Sequence, residues 1–199
     1  DSTTKAVNVS PKPVSSFTIN NINQCLSDNN FVFTNTSTGG LTSLWNFGDA
    51  ATSGLTSPSH SYTTEGTFTV KLVSIESYSC KDSTTKIVDV RPKPVSSFTI
   101  NNSSQCLKGN NFAFSNTSTG ASTYLWSFGD NFTSITTSPS HTYAKAGSFN
   151  VKLESTSSYG CIDSTTSGVL VRAPYVNLGK DTTIYGNAIL TLNAGSGFD

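Results

Sequence analysis

The sequence predicts an all-β chain built from tandem two-sheet sandwiches arranged end to end. Three observations carry that expectation. The chain contains a long internal repeat, its apolar residues alternate with period two inside short segments, and paired prolines mark regular joints.

The repeat comes first, because a missed repeat misreads the whole fold. Asp1-Ser2-Thr3-Thr4-Lys5 recurs as Asp82-Ser83-Thr84-Thr85-Lys86 and again as Asp163-Ser164-Thr165-Thr166. Aligned at the resulting offset of 81, residues 1–81 and 82–162 are identical at 53 of 81 positions, with no insertion. Cys25 maps to Cys106, Trp45 to Trp126, His60 to His141 and Cys80 to Cys161. A unit of this size exceeds a solenoid repeat and can enclose its own core. Pro11-Lys12-Pro13 and Pro92-Lys93-Pro94 are the natural joints, since clustered prolines interrupt β-ladders and stiffen a connection. The expected units are therefore residues 14–91 and 95–172. Residues 1–10 read as the last strand of a preceding repeat, and residues 174–199 as the opening strands of a further one.

The alternation then places the strands. In Thr67-Phe68-Thr69-Val70-Lys71-Leu72 the Phe, Val and Leu share one face, and Ser148-Phe149-Asn150-Val151-Lys152-Leu153 repeats the pattern. Phe17 with Ile19 predicts an opening strand, Phe31 with Phe33 a second, Trp45 with Phe47 a third, and Val88 with Val90 a closing one. The second unit repeats each at Phe98 and Ile100, Phe112 and Phe114, Trp126 and Phe128, and Val169 and Val171. Gly48-Asp49 and Gly129-Asp130 end the third strand in a turn, where Gly takes positive φ and Asp bonds nearby backbone. No segment carries a helical apolar stripe. About seven short strands with a Trp on the third read as a two-sheet, immunoglobulin-like sandwich.

Composition narrows the function classes. The 199 residues include 12 basic and 12 acidic side chains, and only 12% are charged. That is about half the usual globular fraction. A nucleic-acid partner needs a basic footprint that is missing here. An anionic membrane surface is disfavoured on the same ground. No apolar run approaches the roughly 20 residues of a membrane span, so direct membrane insertion is not expected. Four cysteines in a Ser/Thr/Asn-rich chain without methionine fit an oxidising, extracellular compartment.

The candidate chemical residues weigh against catalysis. His60 and His141 occupy one repeat position, and neither unit has a second His to complete a histidine metal site. A scaffold role is therefore expected for both. Asp49 and Asp130 lack the carboxylate company that a Ca²⁺ site requires, and read as turn formers. Trp45, Phe47, Trp126 and Phe128 are assigned to the core by their strand positions rather than to a sugar-stacking platform. Tyr78 and Tyr159, beside the hairpin cysteines, are the better contact candidates. No phosphate loop or nucleophile elbow is present. No cofactor, no metal and no enzymatic activity are expected. Asn35 and Asn116 head Asn-X-Ser sequons of the kind chance supplies in so Asn/Thr-rich a chain.

Leu44-Trp45-Asn46-Phe47-Gly48-Asp49, Ser57-Pro58-Ser59-His60-Ser61-Tyr62 and Gly66-Thr67-Phe68-Thr69-Val70 closely resemble the PKD (polycystic kidney disease) domain. The second copy resembles it through Leu125-Trp126-Ser127-Phe128-Gly129-Asp130, Ser138-Pro139-Ser140-His141-Thr142-Tyr143 and Gly147-Ser148-Phe149-Asn150-Val151. The resemblance covers about 160 residues. Ala50 and Asn131 depart from it, standing where the family usually has a second Gly. The cysteine-bearing form is similar to repeats of large Bacteroidota surface proteins. The tail around Val176-Asn177-Leu178-Gly179-Lys180-Asp181 resembles their Ig-like repeats, with Tyr185 where those often carry Cys. The resemblance implies the stalk or filament of a surface adhesin exported by the type IX system, including gliding adhesins, with neighbouring repeats, surface glycans or other cells as partners; the alternatives are an accessory spacer or carbohydrate-binding module of a secreted hydrolase and a strand-exchanging subunit of an extracellular fibre. Asp-Ser-Thr at 1–3, 82–84 and 163–165, and Asp181-Thr182-Thr183, resemble the O-glycosylation motif of those bacteria, which implies glycans at Ser2, Ser83, Ser164 and Thr182. The plain alternative is a polar strand start.

The cysteines leave two pairings open. The default is intradomain, Cys25–Cys80 and Cys106–Cys161. In the usual sandwich topology, however, Cys25 lies in the loop between strands one and two at the far end, and Cys80 in the final hairpin at the near end. A strand of about 30 Å separates those ends, whereas a disulfide needs Cα atoms within about 7 Å. End-to-end stacking favours Cys25 with Cys161, with Cys80 and Cys106 bonded to neighbouring repeats.

Overall fold

The computed structural model describes residues 4–5, 11–77 and 80–174. The expected all-β architecture is observed: two sandwiches in tandem, each made of a three-stranded and a five-stranded sheet. The expected flanking strands at 1–10 and in the tail lie outside the described residues, apart from Lys5, Thr4 and Pro174.

The first sandwich contains β1 (Phe17–Ile19), β2 (Asn23–Cys25), β3 (Phe31–Asn35), β4 (Thr42–Asn46), β5 (Thr52–Ser53), β6 (Ser59–His60), β7 (Gly66–Ile75) and β8 (Lys81–Arg91). One sheet has the order β1-β3-β6 and the other β2-β8-β7-β4-β5. The second sandwich repeats this with β9 (Phe98–Ile100), β10 (Ser104–Cys106), β11 (Phe112–Asn116), β12 (Thr123–Ser127), β13 (Thr133–Ser134), β14 (Ser140–His141), β15 (Gly147–Thr156) and β16 (Ile162–Arg172). Its sheets are β14-β11-β9 and β10-β16-β15-β12-β13.

The alternation seen in the sequence is the burial pattern of the strands. Val70 and Leu72 on β7 are fully buried, as are Phe31 and Phe33 on β3 and Val88 on β8. Trp45 fills the centre between the sheets, its indole edge-on to Phe17 at 5.0 Å and tilted against Phe33 at 5.6 Å. Its Nε1–H donates to the Leu55 carbonyl at 2.9 Å, so the one polar atom of the ring is satisfied. Trp126 repeats both features, with Nε1–H donating to Thr136 O at 3.0 Å. Burying each such aromatic ring contributes about 2–3 kcal/mol. Phe47 and Phe128 are buried too, one residue beyond the strands on which they were expected.

Two corrections concern the strands. Cys25 stands on a short strand, β2, rather than in a loop: β2 pairs in parallel with the end of β8, placing Cys25 opposite Arg91. The short β5 and β6 and their copies β13 and β14 were also absent from the expected strands, because two polar residues carry no alternation.

The two copies differ at the buried polar site that ends β3 and β11. Asn35 Nδ2 donates to Ser43 Oγ at 2.8 Å, whereas Asn116 Nδ2 is buried without a partner. Tyr124 stands where the first unit has Ser43, which removes the acceptor.

Candidate functional site at the junction of the repeats

Each unit first fixes its own entry. Lys12 Nζ lies 2.8 Å from Asp82 Oδ1, and Asp82 Oδ2 accepts the Ser15 N–H at 2.8 Å. Lys93 and Ser96 hold Asp163 in the same way, at 2.7 Å each. The Asp of the Asp-Ser-Thr motif thus ties the proline joint to the start of the closing strand. The lysine ammonium, and then the backbone N–H, hold both carboxyls below the usual range. Ser83 and Ser164, the next residues, are exposed. Ser2 and Thr182 lie outside the described residues.

The His–Asp positions form a second repeated cluster. His60 Nε2 is 2.7 Å from Asp49 Oδ2, and the imidazole stacks on Phe47 at 4.2 Å and meets Tyr62 edge-on at 4.7 Å. An ionised carboxylate only accepts, so the ring N–H is the donor. Asp49 Oδ1 also accepts the Ala51 N–H at 3.1 Å, as a turn-forming Asp does. Burial pulls the Asp49 carboxyl up, but the hydrogen bonds from His60 and Ala51 outweigh it and leave the pKa below its ordinary value. The Tyr62 hydroxyl donates to Phe47 O at 2.7 Å, and burial, aided by the Asp49 charge, pushes its pKa far above the ordinary value. His141, Asp130, Phe128 and Tyr143 reproduce the arrangement. Each of these groups has a partner within its own unit, and among the described residues no nucleophile is hydrogen-bonded to the imidazole. The cluster pins the turn after β4 onto β6.

The cysteines lie elsewhere. Within the first unit Cys80 precedes the first residue of β8, and Cys25 pairs with the last. The 11 residues of β8 separate the two by about 33 Å. The second unit has the same register, with Cys106 opposite Arg172 and Cys161 at the start of β16. The structure instead joins Cys25 to Cys161 across the two units, with Cα atoms 5.6 Å apart. Cys80 and Cys106 are free thiols.

Local hydrogen bonds place Cys25 for that contact. Gln24 Oε1 accepts the Asn30 N–H at 2.8 Å. The buried Asn29 amide bridges Leu26 O and Tyr62 O, and its Oδ1 accepts the Tyr62 N–H at 2.7 Å. The Leu26 N–H continues the β2–β8 pairing onto Arg91 O at 2.8 Å. On the facing hairpin, Ser157 Oγ accepts the Cys161 N–H at 3.2 Å, and Gly160 turns the chain with φ 82°.

A second contact accompanies the disulfide. The Arg91 guanidinium lies over the Tyr159 ring, 5.1 Å from its centroid, while its Nε donates to Asp89 Oδ2 at 3.2 Å. Tyr159 was a contact candidate from sequence; Tyr78, its counterpart, lies outside the described residues. Arg91 was missed. The available signal was that the chain's two arginines, Arg91 and Arg172, occupy one repeat position beside the cysteine strand.

A model of the PKD domain matches residues 8–92 and again 89–172. No curated protein sequence matches the chain. Among solved structures, the PKD1 domain of Vibrio anguillarum Epp is 29% identical over 41% of this chain and 96% of its own, with a TM-score of 0.36. The PKD1 domain of the Vibrio cholerae metalloprotease PrtV is 31% identical over 40% of this chain and 96% of its own, with a TM-score of 0.35. A Ca²⁺-stabilised, ice-binding adhesin of an Antarctic bacterium is 15% identical over 83% of this chain and 49% of its own, with a TM-score of 0.43.

Proposed function

Since this chain belongs to the PKD domain family, we propose that it is a non-catalytic extracellular stalk segment that holds an adhesive region away from a cell surface. Its working units are residues 14–91 and 95–172, and its immediate partners are the neighbouring repeats of one polypeptide. The observation that carries this reading is the covalent joint between the units. A linker of Pro92-Lys93-Pro94 alone leaves two domains free to bend, whereas the Cys25–Cys161 disulfide adds a second tether beside it. Two connections at one interface suppress hinge motion that a single one permits. In the chain-entropy model, closing so long a loop also stabilises by about 4–5 kcal/mol.

In a longer array, Cys80 bonds backwards and Cys106 forwards to neighbouring repeats. The finer reading is a Bacteroidota surface adhesin of the type IX pathway, with glycans on the exposed Ser83 and Ser164. Contacts to surface glycans would be individually weak and gain strength by repetition.

Small-angle scattering of the oxidised chain and of a Cys25→Ser/Cys161→Ser variant tests the stalk. A narrower distribution of maximal dimension for the oxidised chain supports it; identical distributions would remove the role of the joint. Mass mapping of the natural polypeptide tests the context. A hydrolase domain beside the repeats would make them an accessory module.

A further inference from the structure

We infer that the cleft beside His141 in the second unit binds an acidic sugar residue, a pyranose of the uronic acid class. The inference rests on the glycan contact of the stalk reading and deepens it, by giving that contact a place on the chain and a ligand chemistry.

The cleft has a volume of about 620 Å³ and is partly open to solvent. Small-molecule sites typically span about 300–1,000 Å³. A row of four rings runs along it. Phe149 stacks on Tyr143 at 4.1 Å, Tyr143 meets His141 edge-on at 4.7 Å, and Phe132 lies tilted against His141 at 5.6 Å. Asp130, hydrogen-bonded to His141 Nε2, lines the same space together with Lys145. The turn after β12 fixes the last ring of the row. Phe132 O accepts the Phe128 N–H at 3.1 Å, and the Phe132 N–H donates to Asp130 Oδ1 at 3.3 Å. Phe132 is nonetheless 64% exposed.

The first unit has the same frame with a different rim. Phe68, Tyr62 and His60 repeat the row, and Asp49 repeats the carboxylate. Ala51, however, stands in place of Phe132, and Thr64-Glu65 in place of Lys145-Ala146. The second rim thus gains an aromatic ring and exchanges a negative side chain for a positive one. Neither change serves the fold, because Trp45 pairs with Ser53 in the register in which Trp126 pairs with Ser134. Among the described residues, no ion pair engages Lys145.

Each part of the rim selects a part of the ligand. An exposed aromatic face takes the C–H face of a pyranose, since the ring face is electron-rich. Asp130 accepts one hydrogen bond at each oxygen and keeps a lone pair at both, so it calls for hydroxyl donors. The Lys145 ammonium calls for an anion. A fatty acid lacks donors for Asp130, and free phosphate lacks a face for Phe132. An acidic pyranose supplies all three. The opposed charges also orient it, with hydroxyls toward Asp130 and carboxylate toward Lys145.

NMR titration of the isotope-labelled, full 199-residue chain tests the site, with His60 as an internal control. Trimers of galacturonate and of mannuronate and a hyaluronan tetrasaccharide are added in turn, against maltotriose as the neutral probe. The expected result is that an acidic probe shifts Phe132, His141 and Lys145 saturably, leaves His60 unmoved, and binds roughly two- to fivefold tighter than maltotriose. Phe132→Ala should weaken it by roughly tenfold. Lys145→Thr should weaken it by about two- to fivefold at low salt, a difference that closes at high salt. Both variants restore residues with which the first unit folds, so lost binding is not lost fold. Ala51→Phe/Thr64→Lys/Glu65→Ala should transfer the rim and make His60 respond as well. Equal shifts at His60 and His141 in the parent chain, equal affinity for maltotriose, or equally tight binding of a tetraglutamate peptide each overturns the proposal. A parent chain that binds none of the probes also overturns it, and leaves the stalk reading standing while the Cys25–Cys161 joint is intact. Failure of the stalk reading shows instead in the scattering comparison with the Cys25→Ser/Cys161→Ser chain, which involves no cleft residue.

Discussion

The Arg91 guanidinium of one repeat lies over the Tyr159 ring of the next, 5.1 Å from its centroid, beside the disulfide that joins the same two repeats. The pair supplies an attraction that does not depend on the covalent bond, and so brings the thiols together before they oxidise. An exposed cation–π contact contributes about 0.5–1 kcal/mol. Tyr159→Ala is therefore expected to lower the equilibrium constant for closing Cys25–Cys161 against glutathione by roughly two- to fivefold. Quantifying the closed fraction across glutathione buffers checks it, and Tyr159→Phe should retain most of the wild-type value.

The turn after β4 gives a paired prediction of opposite signs. Gly48 has φ 88°, and a Cβ there would lie 2.8 Å from Thr69 O. Gly48→Ala thus incurs both a left-handed penalty and a clash with backbone that cannot swing away, a loss of about 2–4 kcal/mol. Two residues on, Ala50 already sits at φ 75° and Asn131 at φ 74°. Ala50→Gly should stabilise by about 0.5–1 kcal/mol, and Asn131→Gly by less, because Asn tolerates this region better. Urea denaturation of the three variants measures the order.

How far the sequence discloses this molecule follows from what each element is made of. The long strands were legible because burial on one face writes alternation into Phe68, Val70 and Leu72. β2 was not, because Asn23-Gln24-Cys25 has no alternation and owes its existence to pairing with the far end of β8. The union of Cys25 with Cys161 was one of two open pairings, and strand length was the argument that separated them. The Lys12–Asp82 tie was hidden because its two residues belong to different motifs 70 positions apart, and only the folded unit brings them together. Arg91 against Tyr159 was hidden for the same reason, across two units.

The Lys12–Asp82 and Lys93–Asp163 ties predict an acid transition. Both carboxyls have folded pKa values below the unfolded value of about 3.9. A depressed carboxyl contributes stability above its unfolded pKa and loses it as pH falls through the folded one. Melting temperature should therefore decline from about pH 5 downward. An Asp82→Asn/Asp163→Asn double variant should melt lower than the parent at pH 7 and converge with it near pH 2, giving a shallower curve. A parallel displacement of the whole curve would show that these carboxyls do not titrate with folding.

Glu76 gives the last prediction. Its carboxylate hydrogen-bonds the Cys80 thiol, and that bond, with burial and the Glu76 charge, pushes the thiol pKa up. The thiolate is the attacking species, so the glutamate slows Cys80. Lowering a thiol pKa toward the ambient pH increases the thiolate fraction faster than it reduces intrinsic nucleophilicity. In a Cys106→Ser background, Glu76→Gln should accelerate reaction of Cys80 with an aromatic disulfide at pH 7 by roughly two- to fivefold. The difference should shrink as pH rises and both thiols ionise. A pH-independent difference would instead assign the effect to access. The second unit has Ser157 at this position, where the cysteine is already bonded. The carboxylate thus stands beside the hairpin cysteine of the first unit and has no counterpart in the second.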